Sequence, residues 1–184
     1  ARLCETKGLG VLIEAFILLK QSGRHPSLRL RVAGTLAPGD SRFVKKVQAR
    51  LTSEGLAKDV QFLFNLSMES KLDFLKSLTV FSVPALCSES FGLYVIESLA
   101  AGVPVVEPNH SAFPELLKET EGGLLCETNS PASLAEKVDF LLSHPDQARS
   151  LGQTGQKYVR ERFNTGLMAE RFLKLLQEIA ADEV

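Results

Sequence analysis

An α/β fold, with a parallel sheet of about six strands joined by right-handed crossovers and helices on both faces, is what this 184-residue sequence predicts. Short apolar, β-branched runs alternate strictly with longer stretches whose apolar residues recur at helical spacing. The stretch from Glu89 to Pro104, ESFGLYVIESLAAGVP, also links a strand to a helix and that helix to a further strand through clear start and stop signals.

Ala1-Arg2-Leu3 reads as the tail of an element that begins upstream, followed by the loop CETKG and a helix from Gly8 to Gln21. A domain that opens at a loop-helix junction is expected to be a piece of a longer protein whose first strand lies outside this sequence. Leu28 to Val32 is the next strand, ending at Ala33-Gly34, and Asp40 is placed to cap a helix that runs to about Gly55. Val60 to Phe64 is a strand, Ser67 caps a helix over Met68 to Ser77, and Val80 to Val83 is again a strand. Leu93, Ile96, Leu99 and Ala100 mark the helix after it. Gly102 and Pro104 stop that helix, and Val103 to Val106 resumes the sheet. A short helix near Pro114 to Lys118, a strand at Gly123 to Cys126 and helices from about Ser130, Pro145 and Gly166 complete the chain. The last helix carries Leu167, Phe172, Leu175, Leu176 and Ile179 on one stripe and is expected to pack on its own domain.

In open α/β sheets ligands collect in the crevice beyond the carboxyl ends of the strands, where Cys87 to Gly92 fall on this reading. Glu89 then points into the crevice, and Glu97, about one and a half turns into the helix, reaches back toward the same space. Ionised carboxylates only accept hydrogen bonds, so sugar hydroxyls or a metal ion suit them. The amides of Gly92 and Leu93 at the helix N-terminus suit a phosphate. Hydroxyls beside phosphate describe a nucleotide sugar.

The composition narrows the field. A single domain of this length needs neither disulfides nor metal to hold it together. With 21 basic and 22 acidic residues interspersed and a formal net charge of -1, there is no basic face for nucleic acid. Cys4, Cys87 and Cys126 are odd in number and far apart, which fits reduced thiols in a cytoplasmic protein, with Cys87 packed rather than reactive. No apolar run approaches the roughly 20 residues of a membrane span, so membrane contact is at most peripheral. Gly8-Leu9-Gly10 lacks the third glycine of a dinucleotide fingerprint, with Ile13 in its place. His25 and His144 read as loop or helix-end residues, whereas His110 lies on the ligand side of the sheet with no partner in a recognisable spacing.

With Arg2, Lys7, Gly34, Glu89, Gly92, Glu97 and Pro104 in view, the chain resembles the nucleotide-sugar-binding C-terminal domain of retaining glycosyltransferases of group 1, the glycogen-synthase and sucrose-synthase type. The resemblance runs from ARLCETKG through LRLRVAG, VQFLFN and VFSVPALCSESFGLYVIESLAAGVPVV to PASLAEKV and the C-terminal helices. It implies one Rossmann-like half, residues 1–184, of a double-Rossmann (GT-B) enzyme in polysaccharide biosynthesis. It further implies that Glu89 touches the donor sugar, that Glu97 holds the ribose hydroxyls, and that the backbone of Phe91, Gly92 and Leu93 cradles sugar and phosphate. Arg2 and Lys7 resemble the basic pair that neutralises the departing diphosphate, so neither metal nor other cofactor is called for. Gly34 and Asn65 fall in the same donor site, Asn65 in the base-binding loop. The chain departs from the pattern at Phe64, often Gly, and at Ser111-Ala112, usually Gly-Gly, while SAFPE still matches a variant of the motif.

The implied reaction is transfer of a sugar from a nucleoside diphosphate to an acceptor with retention, the acceptor site lying on an N-terminal domain of the same enzyme. This portion alone is then expected to bind but barely catalyse. Two other functions fit the same residues, a sugar-nucleotide epimerase of the same architecture and a non-catalytic nucleotide-sugar-binding module.

Overall fold

The computed structural model describes residues 1–182, and the side chains of residues 1–180. It has the expected Rossmann-like α/β architecture, with parallel strands covered by helices. The strands are β1 (Leu30–Gly34), β2 (Val60–Phe64), β3 (Val105–Pro108) and β4 (Gly123–Cys126). The helices are α1 (Leu9–Gln21), α2 (Ser41–Ser53), α3 (Met68–Lys76), α4 (Leu93–Ala100), α5 (Phe113–Thr120), α6 (Pro131–Ser143), α7 (Pro145–Arg162) and α8 (Thr165–Asp182).

Among the described residues the sheet is shorter than expected and divided. β1 pairs with β2 in parallel, Val32 opposite Phe62, and β3 pairs with β4, Glu107 opposite Leu125. The predicted strand Val80–Val83 is reduced to one parallel bridge, Phe81 to Val105. Phe81 N–H donates to Pro104 O (3.0 Å) and Phe81 O accepts from Val106 N–H (2.9 Å). The Val83 N–H, next in line for that ladder, turns instead to the Glu107 carboxylate oxygen Oε1 at 3.1 Å. Val80 and Ser82, which face the other way, have no backbone partner.

Helix α1 holds the two half-sheets together because it is apolar nearly all round. Ile13, Phe16 and Ile17 pack with Val32 of β1 and with Val44, Val47 and Leu51 of α2. Val11, Ala15 and Leu19 pack with Val106, Cys126 and the α6 residues Leu134 and Leu141. A third cluster joins Val95, Ile96 and Leu99 of α4 to Val105 and to Phe113, Leu116 and Leu117 of α5. Such a helix is buried on both faces, as its sequence requires.

Two local expectations are corrected. Asp40 ends a 3-10 turn, Pro38–Asp40, and makes no side-chain cap to α2, because Arg2 takes its carboxylate. The last helix, α8, does not bury its stripe: Phe172 is 60% exposed and Leu175 52%. The preceding helices already fill the domain's own core, so amphipathic periodicity here marks a face without a partner within the described residues. Ser67 and Ser130 do cap α3 and α6, accepting the N–H of Ser70 and Ser133.

Candidate functional site

Three loops meet beyond the carboxyl ends of the strands: Cys4–Gly8, Ala85–Gly92 and Asn109–Ala112. They are tied by backbone bonds. Thr6 O accepts from Leu86 N–H (2.8 Å) and Cys87 N–H (3.2 Å), and Ala112 N–H donates to Glu89 O (3.2 Å). His110, the one histidine predicted on this side, serves the same framework. Its Nε2–H donates to Ala85 O at 2.7 Å, which leaves Nδ1 to accept from the Ser111 hydroxyl, also at 2.7 Å.

Glu89 sits at the centre of this cluster. Its Oε2 accepts from the Lys7 ammonium and from the Tyr94 hydroxyl at 2.8 Å, and its Oε1 has no partner among the described residues. Burial works against the charge of Glu89. The bonds from Lys7 and Tyr94 outweigh it and hold the carboxyl below its ordinary value. Burial likewise opposes the Lys7 charge, and Glu89 overturns it, raising the ammonium's pKa. The Tyr94 hydroxyl stays protonated far into the alkaline range, through burial first and its bond to Glu89 second. The result is an anion with one oxygen fixed and one oxygen free.

Glu97, on α4, lines a separate cavity of about 270 Å³ with Ala1, Arg2, Gly34, Asn65, Lys71 and Tyr94. Lys71 Nζ lies 2.6 Å from Glu97 Oε1, and Oε2 has no partner among the described residues. Asn65 takes a left-handed backbone, φ 52, and donates its N–H to Gly34 O. Arg2 also borders this cavity, with Nε 2.6 Å from Asp40 Oδ2 and the guanidinium gripping the carboxylate through both oxygens.

Between the two carboxylates runs the start of α4. Gly92 precedes it with φ 75, a left-handed conformation that suits glycine, and no side chain caps the first turn. The first amides of the helix therefore lack intrahelical partners. Phe91 and Leu93 turn their side chains to solvent, Phe91 against Phe163 with ring centroids 5.9 Å apart.

The structure thus brings Lys7, Glu89 and the Gly92 turn into one cluster, and Arg2, Gly34, Asn65 and Glu97 around one cavity, with Tyr94 bordering both. It does not bring Arg2 and Lys7 onto one partner: each has a carboxylate of its own. Sequence reasoning missed Tyr94, Lys71 and Asp40. Tyr94 carried a signal, a hydroxyl-bearing aromatic in the first turn of the helix between the two glutamates. Lys71 and Asp40 lie far from the motif in sequence and carried none.

This fold defines a Rossmann-like α/β domain of the kind that makes up one half of a GT-B protein. The model for the family "Glycosyl transferases group 1" matches residues 1–158, and the chain belongs to that family. It is 27% identical over 174 residues to a phosphatidyl-myo-inositol mannosyltransferase of Mycobacterium leprae, covering 95% of this chain and 44% of that protein. The chain spans less than half the length of the curated relatives it first matches. Among solved structures it is similar to the C-terminal domain of a group 1 family glycosyl transferase from Francisella tularensis. That likeness has a TM-score of 0.80 and 27% identity, over 89% of this chain and 83% of that one. An Anabaena protein solved in complex with UDP-glucose has the same fold, TM-score 0.85 at 20% identity, over 97% of this chain and 47% of that one. No helix among the described residues is long and apolar enough to cross a membrane.

Proposed function

We propose that this chain is the donor-binding, C-terminal half of a retaining glycosyltransferase and that it holds a nucleoside diphosphate sugar across the start of α4. The observation that carries the reading is the pair of half-satisfied carboxylates, Glu89 and Glu97, each with one oxygen fixed by a lysine and one free to accept hydroxyl hydrogens. Glu97 and Asn65 then receive the nucleoside in their cavity, Glu89 receives the sugar, and the amides of Phe91, Gly92 and Leu93 receive phosphate between them. An Anabaena protein of this fold was solved with UDP-glucose, which fits a ligand of this class.

In the transfer, the bond from the anomeric carbon to the diphosphate oxygen breaks and its electron pair stays on the phosphate. The acceptor's hydroxyl oxygen bonds to that carbon, and its proton passes to the departing phosphate oxygen. Arg2 and Lys7 offset the charge that builds on the leaving phosphate, an effect that is larger in the transition state than before it. The reading needs no metal or other cofactor. It places the acceptor site on a separate N-terminal domain, so the 184-residue chain binds donor but turns it over poorly. A cytoplasmic setting suits its three free cysteines, and polysaccharide assembly suits its family. Nothing observed favours the epimerase or the non-catalytic module.

Titration calorimetry with UDP, GDP, ADP and their sugars tests this. Saturable binding of one nucleotide series, weakened at least tenfold by Glu97→Ala, is the expected result. Equal affinity in wild type and Glu97→Ala would sink the assignment of the ribose carboxylate.

A further inference from the structure

Tyr94 stands between the two parts of the crevice. It lines the cavity that also holds Glu97, its neighbour three residues on along the same face of α4, while its hydroxyl donates to Glu89 Oε2 at 2.8 Å. The half-buried ring is packed in place. Phe81 and Phe113 lie against it with centroids 6.3 and 6.4 Å away, each tilted by 47°. A tyrosine has only two side-chain torsions, so a ring held in this way gives its hydroxyl a fixed position.

Glu89 Oε2 thus has two donors of different kinds. The Lys7 ammonium is a charge on a flexible four-carbon stem with rotatable donors, and its Nζ lies 5.7 Å from the centroid of the Tyr94 ring. The phenol is uncharged, rigidly seated and protonated far into the alkaline range. The transfer proposed above asks two things of Lys7: it holds Glu89, and it offsets charge on the leaving diphosphate. An ammonium drawn toward phosphate gives up part of its bond to Glu89. The side chain of Glu89 is only 18% exposed, and a carboxylate so placed is costly to leave without a donor. Among the described residues, Tyr94 is the one side-chain donor that remains to it.

We propose that Tyr94 is the positioning residue of the sugar subsite: it keeps Oε2 of Glu89 in place when Lys7 moves to the diphosphate, so that Oε1 still meets a hydroxyl of the donor sugar. The inference rests on the nucleotide-sugar reading and adds a division of labour to it. Lys7 serves the phosphate, and Tyr94 serves the carboxylate. Because the same ring borders the cavity assigned to the nucleoside, one rigid side chain sets the spacing between the two subsites.

Tyr94→Phe keeps the ring and removes only the hydroxyl. Titration calorimetry of the 184-residue chain compares three pairs of ligands: UDP with UDP-glucose, GDP with GDP-glucose, and ADP with ADP-glucose. For the pair that binds, Tyr94→Phe is expected to weaken the sugar nucleotide about tenfold and the parent diphosphate no more than about twofold, the cost of one hydrogen bond to a charged group falling on the sugar. In a Glu89→Ala background, which keeps the nucleotide contacts, Tyr94→Phe is expected to cost no further affinity for the sugar nucleotide, because the hydroxyl acts through Glu89. Equal weakening of both members of the pair, or the same loss with Glu89 present and absent, would reveal a packing role and overturn the proposal. Affinities unchanged by Tyr94→Phe would overturn it as well. A wild-type chain that binds none of the six ligands would overturn the nucleotide-sugar reading itself, and the proposal with it.

Discussion

Glu107 makes this fold lose stability as pH rises, and the ceiling on that loss follows from its surroundings. The side chain is fully buried in β3, with Oε1 on Val83 N–H and Oε2 unpartnered. Burial, opposed by the Val83 bond and reinforced by the charge of Glu89, raises its pKa well above the carboxylate range. The folded chain therefore keeps this proton over a window in which the unfolded chain has released it. Because the native state binds more protons there, stability is full below the unfolded pKa and falls as pH rises toward the folded one. One proton sets a limit of about 1.4 kcal/mol per pH unit, a factor of ten in the unfolding equilibrium for each unit. Glu107→Gln cannot ionise and still offers an oxygen to Val83. Its amide NH₂ takes the unpartnered position, at a pH-independent cost of about 1–3 kcal/mol. Urea unfolding followed by circular dichroism from pH 5 to 9 is expected to give a steeper decline with rising pH for wild type than for Glu107→Gln, so the two curves converge as pH rises. Parallel curves would refute the reasoning.

Tyr94→Phe keeps the ring but removes a donor from Glu89. The Glu89 pKa, depressed in the folded chain, then moves up, and the stability it contributes above its unfolded pKa is lost at a higher pH on acidification. A carbon-detected NMR titration that finds Glu89 unmoved would contradict this. Gly92→Ala places a side chain at φ 75 with its Cβ 3.3 Å from Phe113 Cε1. A loss of about 1–2 kcal/mol in thermal or urea unfolding is expected from the left-handed backbone, and an unchanged midpoint would mean that the turn relaxes freely.

The alternation of strands and helices was legible in the sequence because each element carries its own period and its own cap. Ser67 and Ser130 announced α3 and α6, and Gly102 ended α4. What failed depends on neighbours. Val80–Val83 has the composition of a strand, but its ladder to β3 stops after the single bridge from Phe81 to Val105, because Val83 N–H is diverted to the Glu107 carboxylate. The stripe on α8 is equally clear and equally uninformative, since periodicity names a face and says nothing of what covers it. At the site, Glu89 and Glu97 were visible because they share one short motif. Lys7, 82 residues from Glu89, was reached only through the family resemblance, and Lys71, 26 residues from Glu97, lies outside the motif and was not reached at all. Asp40 was read as a cap because aspartate before a helix usually is one, and the guanidinium of Arg2 won the competition.

Each cation at the crevice already has a carboxylate of its own: Arg2 has Asp40, Lys7 has Glu89 and Lys71 has Glu97. Such neutral pairs project little field beyond the Debye length of about 8 Å at physiological ionic strength. The formal net charge of -1 adds no attraction for anions. On the nucleotide-sugar reading proposed above, an approaching diphosphate is not drawn in from a distance but must trade places with an internal carboxylate on contact. Its association rate is expected to be modest and nearly indifferent to added salt, unlike that of an enzyme that gathers anions with an open basic funnel.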